Sequence, residues 1–460
     1  MEPRAHSVVM DEEKCKGCTN CIKRCPTEAI RVRGGKAFIL TERCIDCGEC
    51  IRTCENHAKK AVADSLETLQ QYKYRVALPA PSLYAQFKSE KPEKILAALS
   101  QLGFDEIYEV AYAAELTTCA IQQYIRDYRE AHGAEAYPLI SSSCPVVTRL
   151  IQVRFPSLLP NLIPVDPPYI TAAKFFLRQR LPALNLSREQ VGVFFITPCP
   201  AKITDLNNYG KQLVDGAIPI NVLFGKVNQL LFRKGDSPSV RESSGVGIGW
   251  ARAGGENFAV KSENAMAVDG IQNVVALLEE IEMDKLQDIE YIEAMACPQG
   301  CVGGALTVEN PFVARVMIRK LATQYGDQIL PAKVKALYKE LTKEQPRFFI
   351  HDQVIPAKPV LKLDGDLTKA ITKLNQLEEI VTKLPGIDCG ACGSPTCRSL
   401  AEDIVQNNAQ LTDCIIILRE QLEELAQRLL VLAQIRPPAM GWETGRKGEK
   451  NDPEGIGRGD

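Results

Sequence analysis

An α/β fold flanked by two small cysteine-bearing modules is what this sequence predicts, and three observations carry that reading. From residue 76 onward, apolar runs alternate with stretches of helical periodicity such as EKILAALSQL, as strands and helices taken in turn would read. Ahead of that region, eight cysteines are confined to the first 54 residues. Behind it, the polar stretch VLKLDGDLTKA precedes a second cysteine group and a long apolar-periodic run. The expected units are a cysteine module over 1–75, the α/β domain over 76–355, a linker over 356–375 and a C-terminal cysteine module with a helix over 376–435. The polar, Gly- and charge-rich stretch 436–460 reads as a disordered tail.

In the first module Cys15, Cys18, Cys21 and Cys25 read C-x2-C-x2-C-x3-C before Pro26. Cys44, Cys47, Cys50 and Cys54 repeat the spacing, with Glu55 in the proline position. The chain holds 17 cysteines and only four scattered histidines. Thiolate-rich, imidazole-poor ligation favours iron-sulfur chemistry over zinc, whose motifs seldom place three cysteines at two-residue gaps. The pattern resembles the bacterial dicluster ferredoxins, α+β modules in which the fourth cysteine of each run ligates the other cluster. That resemblance implies one 4Fe-4S cube on Cys15, Cys18, Cys21 and Cys54, and another on Cys44, Cys47, Cys50 and Cys25.

The central domain uses cysteine sparingly. Three apolar runs each end in a turn signal that carries it: YPLISSSCP brings Cys144, VGVFFITPCPAK brings Cys199, and IEYIEAMACPQGC brings Cys297 and Cys301. Ligands of parallel α/β sheets collect beyond the carboxyl ends of strands, so three such loops can gather four thiolates. Isolated buried cysteines are the plainer alternative. The adjoining prolines and glycines argue for shaped loops that bring backbone close to a bulky centre.

SSSCP, TPCPAK and EAMACPQGCVGG resemble, in that order, the three signature loops of the FeFe hydrogenases. The resemblance implies a two-lobed domain with parallel sheets flanked by helices, holding an H-cluster: a 4Fe-4S cube on Cys144, Cys199, Cys297 and Cys301, with Cys301 bridging to a di-iron subcluster. It also implies that Lys202 hydrogen-bonds a cyanide ligand and that Met295 packs near the di-iron unit. Three departures stand beside it. Ser143 occupies the position where highly active members carry a proton-relaying cysteine, and a hydroxyl is far less acidic than a thiol. The first loop continues CPVV without the usual aromatic, and Pro167 stands about where a relay serine is expected. Such changes resemble the sensory or slow members of the family.

Near the C-terminus Cys389, Cys392, Cys397 and Cys414 give C-x2-C-x4-C and a distant fourth. This is similar to a small helical 4Fe-4S domain found in several redox proteins, with zinc as the competing metal. Leu411, Leu418, Leu425 and Leu432 then recur every seven residues, with Ile415, Leu422 and Leu429 at the offset positions. This heptad seam predicts a helix that pairs with a second copy or a signalling partner, or one packed on its own domain. Of the 17 cysteines only Cys119, in a helical stretch, is left over, and it is expected to be a buried small hydrophobe.

The formal charge of −2 gives no hint of a nucleic-acid surface, and no apolar run of membrane length is present. The first cysteine follows the N-terminus without room for a secretory signal, so a cytoplasmic location is expected. Three functions compete: a sensory or low-turnover FeFe hydrogenase acting on hydrogen and protons; a fully active hydrogenase exchanging electrons with ferredoxin or another redox protein; and an iron-sulfur assembly or electron-transfer protein that lacks the di-iron unit.

Overall fold

The computed structural model describes all residues except 1–5, 89, 133–137, 211, 233–240, 352–353, 359, 361–362 and 435–460. The N-terminal module contains strands β1 (Val8–Met10), β2 (Ile30–Arg33), β3 (Lys36–Ile39) and β4 (Lys59–Ala61). β1 pairs antiparallel with β4, and β2 with β3. The β2–β3 turn is Gly34-Gly35, both at positive φ, as a two-residue hairpin of the right twist needs. Two single-turn helices, Asn20–Lys23 and Glu49–Arg52, carry Cys21 and Cys50.

The central domain is built on two parallel sheets. Its strands are β5 (Tyr74–Pro79), β6 (Glu106–Ile107), β7 (Leu139–Ile140), β8 (Val191–Thr197), β9 (Gly216–Pro219), β10 (Ala265–Asp269) and β11 (Tyr291–Met295). One sheet runs β6-β5-β8-β9 and the other β10-β11-β7, with every neighbouring pair parallel. β8 and β11 are buried along their whole length, the burial expected of parallel strands covered on both faces. The helix Val110–His132 lies in the main core, where Cys119 is buried among apolar side chains and burial pushes its thiol up to about 11.

The C-terminal module is helical: Leu367–Lys383, Cys397–Val405 and Ile415–Gln434. The first of these begins inside the stretch 356–375 expected to be a linker, because Asp366 caps it by accepting the Thr368 and Lys369 amides. Beyond its first turns the last helix does not pack on its own domain, and Leu422, Leu425, Leu429 and Leu432 are exposed. The stretch 436–460 lies outside the described residues. Among those described, no helix is long and apolar enough to cross a membrane.

A candidate cluster site where two sheets meet

The three cysteine-bearing loops leave strands of both sheets. Cys144 follows β7 and Cys297 follows β11 in the three-stranded sheet, whereas Cys199 follows β8 in the four-stranded one. Cys144 and Cys199 each immediately precede a helix whose first residue is proline. Proline there costs no hydrogen bond, and the helix start favours a thiolate. Glycine brings the loops together: a Cβ on Gly304 would lie 2.2 Å from the Pro198 carbonyl oxygen, and Gly300, at φ +87°, passes against the Ala253 amide. The amide of Leu306 then donates to that same Pro198 carbonyl at 3.0 Å.

Cys144, Cys199, Cys297 and Cys301 all line one mostly apolar cavity of about 810 Å³, together with Ser143, Lys202 and Met295. The Lys202 Nζ stands 3.7 Å from Cys301 Sγ and 5.2 Å from the centroid of the Tyr169 ring. Burial opposes its charge, but the thiolates of Cys301 and its neighbours outweigh burial and hold the ammonium above its ordinary pKa. Burial pushes the thiols of Cys144, to about 11, Cys199 and Cys301 upward. Four soft donors gathered in one mostly apolar cavity fit a multinuclear iron-sulfur group.

Ser143 does not stand alone in this wall. Its Oγ donates to Glu256 Oε1 at 3.3 Å, and the same oxygen accepts from Ser141 Oγ at 2.8 Å and Tyr291 Oη at 2.5 Å. Glu256 is buried, and burial raises its carboxyl pKa. Glu293, on β11, is raised by burial and by the charge of Glu256. Pro167 lies elsewhere, in a neighbouring cavity that it lines with Ser142, Arg149 and Asp205. Nothing in the sequence marks Glu256 as special, since it sits 113 residues from Ser143 in a plain GGEN stretch that opens a short helix.

The N-terminal module abuts this cavity. Gly48, at φ +78°, sits so close to Ala305 that a Cβ would approach it to 2.5 Å. Buried Asp46 accepts from the Val8 amide at 3.0 Å, Thr204 Oγ1 at 3.0 Å and Arg149 Nη1 at 3.0 Å, tying the Cys44–Cys47 loop to two helices of the central domain. Arg52 Nη2 reaches Cys297 Sγ at 3.3 Å and the Gly303 carbonyl at 2.5 Å, while its Nη1 pairs with Glu49 at 2.8 Å.

Within the module, Cys25, Cys44, Cys47 and Cys50 line one small pocket, and burial raises the thiols of Cys44, Cys47 and Cys50. Cys15, Cys21 and Cys54 share the module's small core. Cys18 is exposed. In the C-terminal module Cys392, Cys397 and Cys414 pack into one apolar cluster, and Cys389 is exposed.

Residues 73–222 and 236–305 match the family of the iron-only hydrogenase large subunit, C-terminal domain. The chain belongs to the FeFe hydrogenase-like family. Residues 7–55 match a 4Fe-4S dicluster domain, and residues 384–416 match an Fe-S cluster family. Among curated FeFe hydrogenase relatives, iron hydrogenase 1 of Clostridium pasteurianum is 24% identical over 402 residues, spanning 70% of this chain and 68% of that one. The periplasmic Fe hydrogenase large subunit of Nitratidesulfovibrio vulgaris is 24% identical over 390 residues, spanning 70% of this chain and 91% of that one. A solved structure of a variant of the FeFe hydrogenase HydA1 from Chlamydomonas reinhardtii superposes with a TM-score of 0.50 at 16% identity, covering 65% of this chain and 97% of that one. That likeness concerns the fold.

Proposed function

We propose that this chain binds an H-cluster on Cys144, Cys199, Cys297 and Cys301, and that it senses hydrogen or turns it over slowly. When bound, the cluster supplies the redox chemistry that interconverts H2 with two protons and two electrons. The observation that carries the reading is the single cavity holding four thiols and Lys202, with a hydroxyl in place of a thiol at Ser143. In it Lys202 supplies a fixed positive charge beside Cys301, Met295 closes the apolar wall, and Ser143 passes protons poorly because its hydroxyl ionises reluctantly. Two cubes of the N-terminal module and one of the C-terminal module serve as electron carriers. Ferredoxin or another one-electron redox protein supplies them, in the cytoplasm. The exposed heptad helix is the surface for a signalling partner or a second copy.

A fully active hydrogenase is the second reading, favoured by the Glu256 carboxyl within reach of Ser143. Infrared spectra and hydrogen evolution of maturase-loaded protein test both. Carbonyl and cyanide bands with slow turnover, accelerated in Ser143→Cys, are expected. Fast turnover that Ser143→Cys leaves unchanged would favour the second reading. Absence of the bands would return the chain to an iron-sulfur protein without the di-iron unit.

A further inference from the structure

The C-terminal module does not hang free. Strand β2 pairs with β3 on one side, and Val32 donates its amide to the Gly393 carbonyl at 2.8 Å. Gly393 lies at φ +81°, and a Cβ there would fall 2.0 Å from the Val32 carbonyl oxygen, so the approach needs glycine. Arginines of the N-terminal module complete the contact. Arg33 donates to the Cys392 carbonyl at 2.8 Å, to Ser394 Oγ at 2.9 Å and to Asp403 Oδ2 at 2.8 Å. Arg31 reaches the same carboxylate oxygen at 2.7 Å, and Arg43 pairs with Glu402 at 2.7 Å. Arg31 is 2% exposed in the assembled chain, so its pair with Asp403 is sealed from water.

Two further features bear on what this contact is for. The groups it uses belong to the cysteine loop itself: the carbonyls of Asp388, Cys392 and Gly393, and Gly390, whose Cβ would lie 3.3 Å from Ile22 Cδ1. Ile22 adjoins Cys21, so one ligand loop lies directly on another. At the other end of the N-terminal module, Arg52 touches Cys297. Meanwhile Cys389 is exposed.

We propose that the C-terminal module is the outer station of a single electron relay. A one-electron redox protein reduces it at the Cys389 loop. It passes electrons to the N-terminal cubes across the Arg31, Arg33 and Arg43 contact, and these deliver them past Arg52 to Cys297. Each transfer moves one electron from a reduced cube to an oxidised one and makes or breaks no bond. The proposal rests on reading Cys389, Cys392, Cys397 and Cys414 as ligands of a cube.

The test uses the full-length, cluster-loaded chain. Iron and sulfide counts, with the electron paramagnetic resonance of Cys389→Ser/Cys392→Ser set against the parent, first establish that cube. Its absence from the parent would remove the cluster reading of the module and the relay together. With the cube present, partial reduction should give spectra broadened by magnetic interaction between the C-terminal and N-terminal cubes. That interaction should vanish in Arg31→Ala/Arg33→Ala and weaken in the milder Arg33→Lys, each at full iron content. In stopped flow, reduction of the N-terminal cubes by reduced ferredoxin should slow at least about tenfold in Cys389→Ser/Cys392→Ser. Additive spectra in the parent, or an unchanged reduction rate in that variant, would overturn the relay.

Discussion

Glu256 and Arg52 are the two side chains whose roles exist only in the folded chain. Glu256 takes a hydrogen bond from Ser143 inside the cavity wall, and burial keeps its carboxyl protonated toward higher pH than an exposed glutamate. Replacing it with glutamine keeps the shape and removes the exchangeable acid. Hydrogen evolution by Glu256→Gln should fall by about 100-fold. The parent's rate should decline as rising pH strips the Glu256 proton, and that limb should flatten in the variant, read from pH-rate profiles of matched iron content. Arg52 places a guanidinium against Cys297 Sγ. Hydrogen bonds and positive charge at a ligating sulfur favour the reduced cluster. Arg52→Met should therefore shift the midpoint potential of the cube proposed on Cys297 to more negative values in a redox titration, with Arg52→Lys recovering part of the shift.

At the scale of elements, the cysteine loops were legible because ligand spacing is a local constraint written in adjacent residues: CPQGC and TPCP announce turns, and the runs before them are the buried strands β8 and β11. What spacing could not reveal is that the loops leave two different sheets, since β7, β8 and β11 read alike as apolar runs and pairing is a non-local choice. Nor could it reveal Glu256 or Arg52, which meet their partners 113 and 245 residues away and carry no periodic signal. The loop contacts set their own test. Gly304→Ala forces a methyl onto the Pro198 carbonyl and should cost about 2 kcal/mol. A lower melting temperature and less iron at the central site would register it. A second element-level device is the bridge between Val165 and Ile350, beside which His351 Nδ1 lies 3.1 Å from Asp166 Oδ1. The hydrogen bond with Asp166, against burial and with Asp205 and Lys174 also acting, raises the histidine's pKa. Its stabilisation is therefore full below the unfolded value of about 6.5 and fades as pH climbs through the raised folded value. Urea unfolding should show this loss across the near-neutral range in the parent and a flatter dependence in His351→Gln.

On the scale of the whole molecule, the two cysteine modules come together: the C-terminal module sits on strand β2 and the N-terminal module sits on the cavity. Composition gave no hint of this arrangement, because the arginines and carboxylates that fasten it read as ordinary surface charge along the chain. Their burial gives them weight. Removing Arg31 leaves Asp403 with Arg33 as its ionic partner and the Ser394 hydroxyl, so Arg31→Met should loosen the C-terminal module by roughly 3 kcal/mol. Faster amide hydrogen exchange across residues 384–416, with the central domain unchanged, is the expected signature.

Because Cys199 hangs from one sheet while Cys144 and Cys297 hang from the other, any metal group they share is also a crosslink between the two lobes. Ligand binding that needs both halves in register stabilises that register by mass action. With the proposed cluster as that group, iron supply also governs mechanical integrity: a starved chain should yield to proteases along the lobe boundary sooner than a loaded one.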